Sequence, residues 1–233
     1  MRDLIDVSTN QLKSSRLHLY SRMEGIDRLL VNSLSESIRS ELTDEKVSRL
    51  EKKIAEDFGL GFDEFVYKFG HVRKSLFAFE LELKKIEDNI LRNFVTLEKH
   101  EDETWLVVKN DHLTEVLLKT LADEDKKRIL DATREKAESI PRVLTQCGIP
   151  NTSGYRKMNQ MIDEGFVVPV GLAETFEGKR AILYKSVIQK IHISIDKNDI
   201  VTKILVPEEI ITSSPLVQLM TEMTCGAKKR LAN

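Results

Sequence analysis

The chain has 233 residues, 41% hydrophobic and 32% charged, with a net charge of −2. Two cysteines, Cys147 and Cys225, exclude a disulfide framework, and no apolar run approaches the roughly 20 residues of a membrane span. The polar start, MRDLIDVSTNQLKSSR, lacks the apolar core of a secretory signal, so a cytoplasmic protein with no membrane contact is expected.

Charge is unevenly spread but nowhere extreme. Residues 1–121 carry a net −4, and residues 122–186 and 187–233 carry +1 each. A nucleic-acid reading must therefore rest on where the basic residues sit.

The first apolar pattern, Leu12, Leu19, Met23, Ile26, Leu30, Leu34 and Ile38, predicts an amphipathic helix over about 10–42. Thr43 can cap a second helix over 44–57, which Gly59 would end. Helical spacing resumes at Phe62, Phe65 and Phe69, and with Phe58 these read as core. Over 71–99 the residues Leu76, Phe79, Leu83, Ile86, Ile90, Phe94 and Leu97 approach a heptad seam. That seam fits either a helix in an intramolecular bundle or a dimer-forming coiled coil. A polar break at 100–103 precedes a short strand, Thr104–Val108, and a helix over about 111–121.

From Leu121 the pattern sharpens. Asp123 can cap a helix to about Lys136, and Ser139 a short one over 140–147 with Pro141 in its first turn. Gly148 closes that helix, Ile149-Pro150-Asn151 turns, and a third helix runs over 152–164 to Gly165. Two short helices about a tight glycine turn are the mark of a helix-turn-helix. Strands at 166–170 and 181–185, joined by the polar loop 171–180, would add a wing.

The stretch IPNTSGYRKMNQMIDEGFVVPVG resembles the recognition helix and first wing strand of arsenic-repressor-like winged helix-turn-helix transcription regulators. The resemblance covers about 65 residues, 122–186, and implies a winged helix that uses DNA. The paired cysteines of the family's metal sensors are missing here, so metal sensing is not implied.

Helical geometry gives candidate contacts. Gly154, Met158, Met161, Ile162 and Gly165 share a packing face. The opposite face carries Thr152, Tyr155, Arg156 and Asn159, with Asn151, Ser153 and Lys157 beside it. Arg156 could read guanine and Asn159 adenine, each for roughly 1–3 kcal/mol of discrimination. Thr152 and Ser153 lie where backbone N–H groups favour a phosphate, and Lys179 and Arg180 on the wing would reach the adjacent groove or backbone.

Other chemistry is not indicated. The five histidines are scattered, with no metal-ligand spacing, and no phosphate loop or nucleophile elbow occurs. No cofactor is implied, and an enzyme is not expected. After the wing, Val187–Ile195 and Ile200–Val206 read as a hairpin needing a further strand, for which Trp105–Val108 is the candidate. Ser214-Pro215 opens a last helix that Gly226 would end.

The expected fold is mainly α with small β, in three parts. Residues 1–121 form a helical dimerisation or sensor domain with one strand, open to an effector or partner protein. Residues 122–186 form the winged helix-turn-helix, and residues 187–233 a β-hairpin and C-terminal helix. The expected function is a homodimeric, sequence-specific regulator of double-stranded DNA. The alternative is a protein-interaction adaptor whose winged helix touches no DNA.

Overall fold

A computed structural model describes residues 23, 25–76, 79–101, 103–174, 180–197 and 199–230, with only the backbone of 196 and 225–230. The described chain is mainly helical, with two antiparallel sheets. Of the helix expected over about 10–42, Asp27–Glu41 forms α1; Gly25 and Ile26 instead form a turn in which Gly25 has positive φ, and residues 10–22 and 24 lie outside the described residues. Helix α2 (Asp44–Phe58) presents Val47, Leu50 and Ile54 inward and stops at Gly59, which takes the left-handed conformation. Short helices α3 (Phe62–Tyr67) and α4 (Phe69–Val72) bring Phe62, Phe65 and Phe69 into the core, with Phe62 tilted against Phe65 and Phe65 edge-to-face with Phe69.

The regular helix expected over 71–99 is not formed. A 3₁₀ turn at Arg73–Ser75 follows α4, and α5 (Glu80–Lys85) then widens into a π-helical turn over Ile86–Ile90. A second 3₁₀ turn, Leu91–Asn93, leads into strand β1 (Val95–His100). Leu76, Phe79, Leu83, Ile86, Ile90 and Phe94 are buried in the chain's own core, so this stripe is not available as a coiled-coil seam between copies. Both ends of this wider turn, Ile86 and Ile90, are buried.

Strand β1 pairs with β2 (Glu103–Val108) through a turn in which Glu101 has positive φ. Beyond β2 the chain forms α6 (Asp111–Ala122), capped by the Asn110 side chain, which accepts from the Leu113 N–H at 2.9 Å. Helices α7 (Glu124–Arg134), α8 (Ile140–Cys147) and α9 (Asn151–Glu164) follow. A two-stranded ribbon, β3 (Val167–Glu174) and β4 (Arg180–Ser186), comes next, with a bulge between Pro169 and Gly171 where proline cannot donate to the ladder.

Strands β5 (Lys190–Asp196) and β6 (Asp199–Leu205) form the predicted second hairpin. Strand β6 pairs with β2, Leu106 opposite Ile204, completing a four-stranded sheet of order β1-β2-β6-β5. The Trp105–Val108 strand is therefore the partner expected for this hairpin. Residues 187–233 do not stand apart as a third unit, because their strands finish a sheet begun by β1 and β2. Helices α10 (Glu208–Ser213) and α11 (Pro215–Arg230) close the chain, with α11 lying on α1 and β1. Helix α11 runs through Gly226, where an end was expected. One core cluster runs from Met23 to Met220 and takes in α7–α9 as well as α1–α6.

Candidate nucleic-acid interface

Caps and turn residues set the geometry of α7–α9. The Asp123 carboxylate accepts from the backbone N–H groups of Asp125 and Lys126 at 3.0 and 3.1 Å, starting α7. Gly148, at φ 64°, ends α8, and the Ile149 N–H returns to the Leu144 carbonyl at 3.0 Å. Ser139 holds the position before α8, but its side chain makes no capping bond. Pro150 then starts α9 only two residues after Gly148, which turns α9 sharply back across α8.

The two helices meet at Gly154. A methyl group there would come within 2.5 Å of Leu144 Cδ2, so any larger residue would force the Leu144 side chain to shift. Met158 and Met161 continue the same face and are fully buried. Arg128 on α7 donates to the Cys147 carbonyl at 2.9 Å, and Cys147 Sγ returns a bond to the Arg128 carbonyl at 3.4 Å. Burial pushes the Cys147 thiol up from its usual range, which suits a packing role and not a reactive thiolate.

The C-terminus of α9 is clamped to α1. Gly165, at φ 85°, lies so close that an added Cβ would fall 2.5 Å from the Leu29 backbone nitrogen. Arg28 donates to the Ile162 carbonyl at 3.0 Å, and Asn32 to the Asp163 carbonyl at 3.0 Å. These bonds satisfy carbonyls that a helix end leaves open, and a cation there suits the helix dipole. Lys126 also reaches Glu164 at 3.1 Å.

With one face packed and one end clamped, the rest of α9 is presented outward. Asn151, Thr152, Tyr155, Arg156 and Asn159 are exposed, and Ser153 is half-buried with its hydroxyl donated to the Pro150 carbonyl at 3.2 Å. Arg156 has no ion-pair partner among the described residues. No carboxylate occurs on α9 before Asp163, so the exposed N-terminal half carries no negative charge.

Lys157 does not join that face. Its ammonium lies 2.6 Å from Asp123 and 3.0 Å from Asp125, and it is only 15% exposed. The Asp123 hydrogen bond raises the Lys157 pKa. Burial works against the Asp123 charge, but the bonds from Lys157 and from the α7 backbone outweigh it and lower the Asp123 pKa. Lys157 thus ties α9 to the start of α7, a role that its place on the helix did not indicate.

The ribbon lies beside the three helices. The Glu138 backbone, between α7 and α8, exchanges both hydrogen bonds with Tyr184 on β4, at 3.0 and 2.9 Å, giving the ribbon a one-residue third strand. The Glu138 carboxylate binds Lys136 at 3.0 Å and Arg142 at 3.4 Å, and the Lys136 bond leads in holding its pKa down. Arg180 is exposed at the start of β4, whereas Lys179 lies outside the described residues. The ribbon also exposes an apolar pair, Leu172 opposite Ile182, at 62% and 47%.

Among the described residues no group of His, Cys, Asp and Glu could hold a metal ion, and no helix is long and apolar enough to cross a membrane. Comparison with protein-family models, curated proteins and solved structures finds no match for this chain.

Proposed function

We propose that this protein is a transcription regulator that binds double-stranded DNA through a winged helix-turn-helix formed by α7–α9 and the β3–β4 ribbon. The observation that carries this reading is the outward face of α9. Its polar residues Asn151, Thr152, Tyr155, Arg156 and Asn159 are exposed, free of carboxylates, and set on a helix that is locked on its other face and at its far end. Arg and Asn are the side chains that read guanine and adenine in the major groove, and backbone N–H groups at a helix start favour phosphate. Arg180, and Lys179 next to it in sequence, would supply the wing contact.

A second reading has one observation in its favour. Leu172 and Ile182 give the ribbon an apolar patch, which suits a protein partner better than a phosphate backbone. A mobility-shift titration at two salt concentrations separates the two. DNA binding by the α9 face predicts steep weakening with salt and loss of binding in Arg156→Ala. Absence of DNA binding at low salt, with binding to a protein partner lost in Leu172→Ser, would favour the adaptor.

A further inference from the structure

We propose that the outer edge of β5 is a homodimer interface, at which two copies pair antiparallel about Ile193 to join their sheets into one of eight strands. This goes beyond the DNA reading and does not depend on it.

Strand β5 ends the sheet, and among the described residues no strand pairs with its outer edge. The open edge lacks two of the usual protections, a bulge and a proline. Strand β5 pairs with β6 without a bulge from Lys190 to Asp196, and it holds no proline. The opposite edge, β1, is different, because α11 packs against it. An unprotected edge strand is a template for another strand.

The apolar positions of β5, Lys-Ile-His-Ile-Ser-Ile-Asp, fall in the same places when its sequence is reversed. Antiparallel pairing about Ile193 sets position 191 opposite 195, and position 192 opposite 194. It also sets the cationic position 190 opposite the anionic position 196, twice, by symmetry. Every apolar position meets an apolar one and every charge meets its opposite, as an isologous two-fold contact requires. A shift of one residue would put isoleucines against Lys, His or Ser.

Burial points the same way. Ile195 is 72% exposed, and its neighbours across the turn, Ile200 and Val201, are 43% and 38% exposed. In the proposed pairing Ile195 lies against Ile191 of the second copy, which removes it from water. The edge also borders a groove of about 720 Å³, lined on its far side by Leu130 and Arg134 of α7, where side chains of an added strand can lie. Lys190 already bonds Glu103, yet it stays 59% exposed and can reach across the edge.

Sedimentation of the full chain over a roughly hundredfold concentration range tests this. The unaltered chain is expected to dimerise, and Ile193→Lys, which sets two ammonium groups together on the axis, to sediment as a monomer. Lys190→Asp alone is expected to raise the dimer dissociation constant about tenfold or more, and Lys190→Asp with Asp196→Lys to restore it. The charge swap carries the test if Ile193→Lys loses its folded circular-dichroism spectrum. A chain that is monomeric throughout, or a dimer that Lys190→Asp leaves unchanged, overturns the proposal. So does a dimer that the double swap fails to restore.

Discussion

Ser214 donates its hydroxyl to the Asp27 carboxylate at 2.7 Å, across 187 residues of chain. Asp27 begins α1 and Ser214 precedes α11, so one bond joins the first described helix to the last. The Leu216 N–H also points at Asp27, at 3.4 Å, and Ser214 Oγ accepts from the Val217 N–H at 3.1 Å. Asp27 is 2% exposed. Burial drives its pKa up to about 6, although the bonds from Ser214 and Leu216 pull it down.

The sign of the pH effect follows from linkage. Between the ordinary Asp value of 3.8 and about 6, the folded chain holds a proton at Asp27 that the unfolded chain has lost. The stabilisation is complete below the unfolded value and disappears as pH rises through the folded one. The loss amounts to about 3 kcal/mol. Asp27→Asn cannot ionise, so its stability relative to the unaltered chain should improve by about this amount between a pH below the unfolded value of 3.8 and a mildly alkaline pH. Urea denaturation of both chains at the two pH values checks it, and an equal pH response in both would refute it.

Two glycines of α9 should differ in what a methyl group costs. At Gly154 the added Cβ strikes the Leu144 side chain, and alanine's better helix propensity returns part of the loss. The net cost of Gly154→Ala is about 1 kcal/mol. At Gly165 the obstacle is the Leu29 backbone, and the residue must also keep φ at 85°. Gly165→Ala should cost about 2–4 kcal/mol, because neither α1 nor α9 can yield without breaking the Arg28 and Asn32 clamp. Chemical denaturation of the two variants gives the comparison.

Caps that look alike in sequence should also separate. Asp123 bonds two backbone N–H groups and Lys157, so Asp123→Ala should cost about 1–2 kcal/mol. Ser139 makes no side-chain capping bond, and Ser139→Ala should cost only a few tenths of a kcal/mol. Equal losses in thermal or urea unfolding would show that Ser139 caps α8 after all.

Local chemistry explains what was legible. Gly148 and Gly165 take left-handed conformations just where helix spacing stops, so α8 and α9 could be bounded from sequence. The buried face of α9 was readable because Gly154, Met158 and Met161 recur at helical spacing. Strand β1 was not readable, because Phe94 and Leu97 extend the helical spacing of the preceding residues. Val95 and Leu97 also fit the period of two in a strand, and the choice is made by pairing with β2. The role of Lys157 was hidden for a similar reason, since Asp123 lies 34 residues earlier and no local signal marks the pair.

Arg156 and Lys157 are adjacent cations on α9 with different surroundings, which gives a direct test of the α9 face. Arg156 is exposed and lacks an ion-pair partner among the described residues, whereas Lys157 is neutralised by Asp123 and Asp125. If the α9 face meets DNA, Arg156→Ala should weaken binding by about 1–3 kcal/mol, through a base edge or a phosphate. A phosphate contact would reduce the salt slope by about one, and a base contact would relax sequence preference at one position. Lys157→Ala should leave the salt slope unchanged, because its charge is already spent within the protein. Its effect should appear in stability, at about 1 kcal/mol, through loss of the tie between α9 and α7. Binding isotherms at several salt concentrations, with urea melts of each variant, distinguish the two residues. A larger binding loss in Lys157→Ala than in Arg156→Ala would place the interface elsewhere.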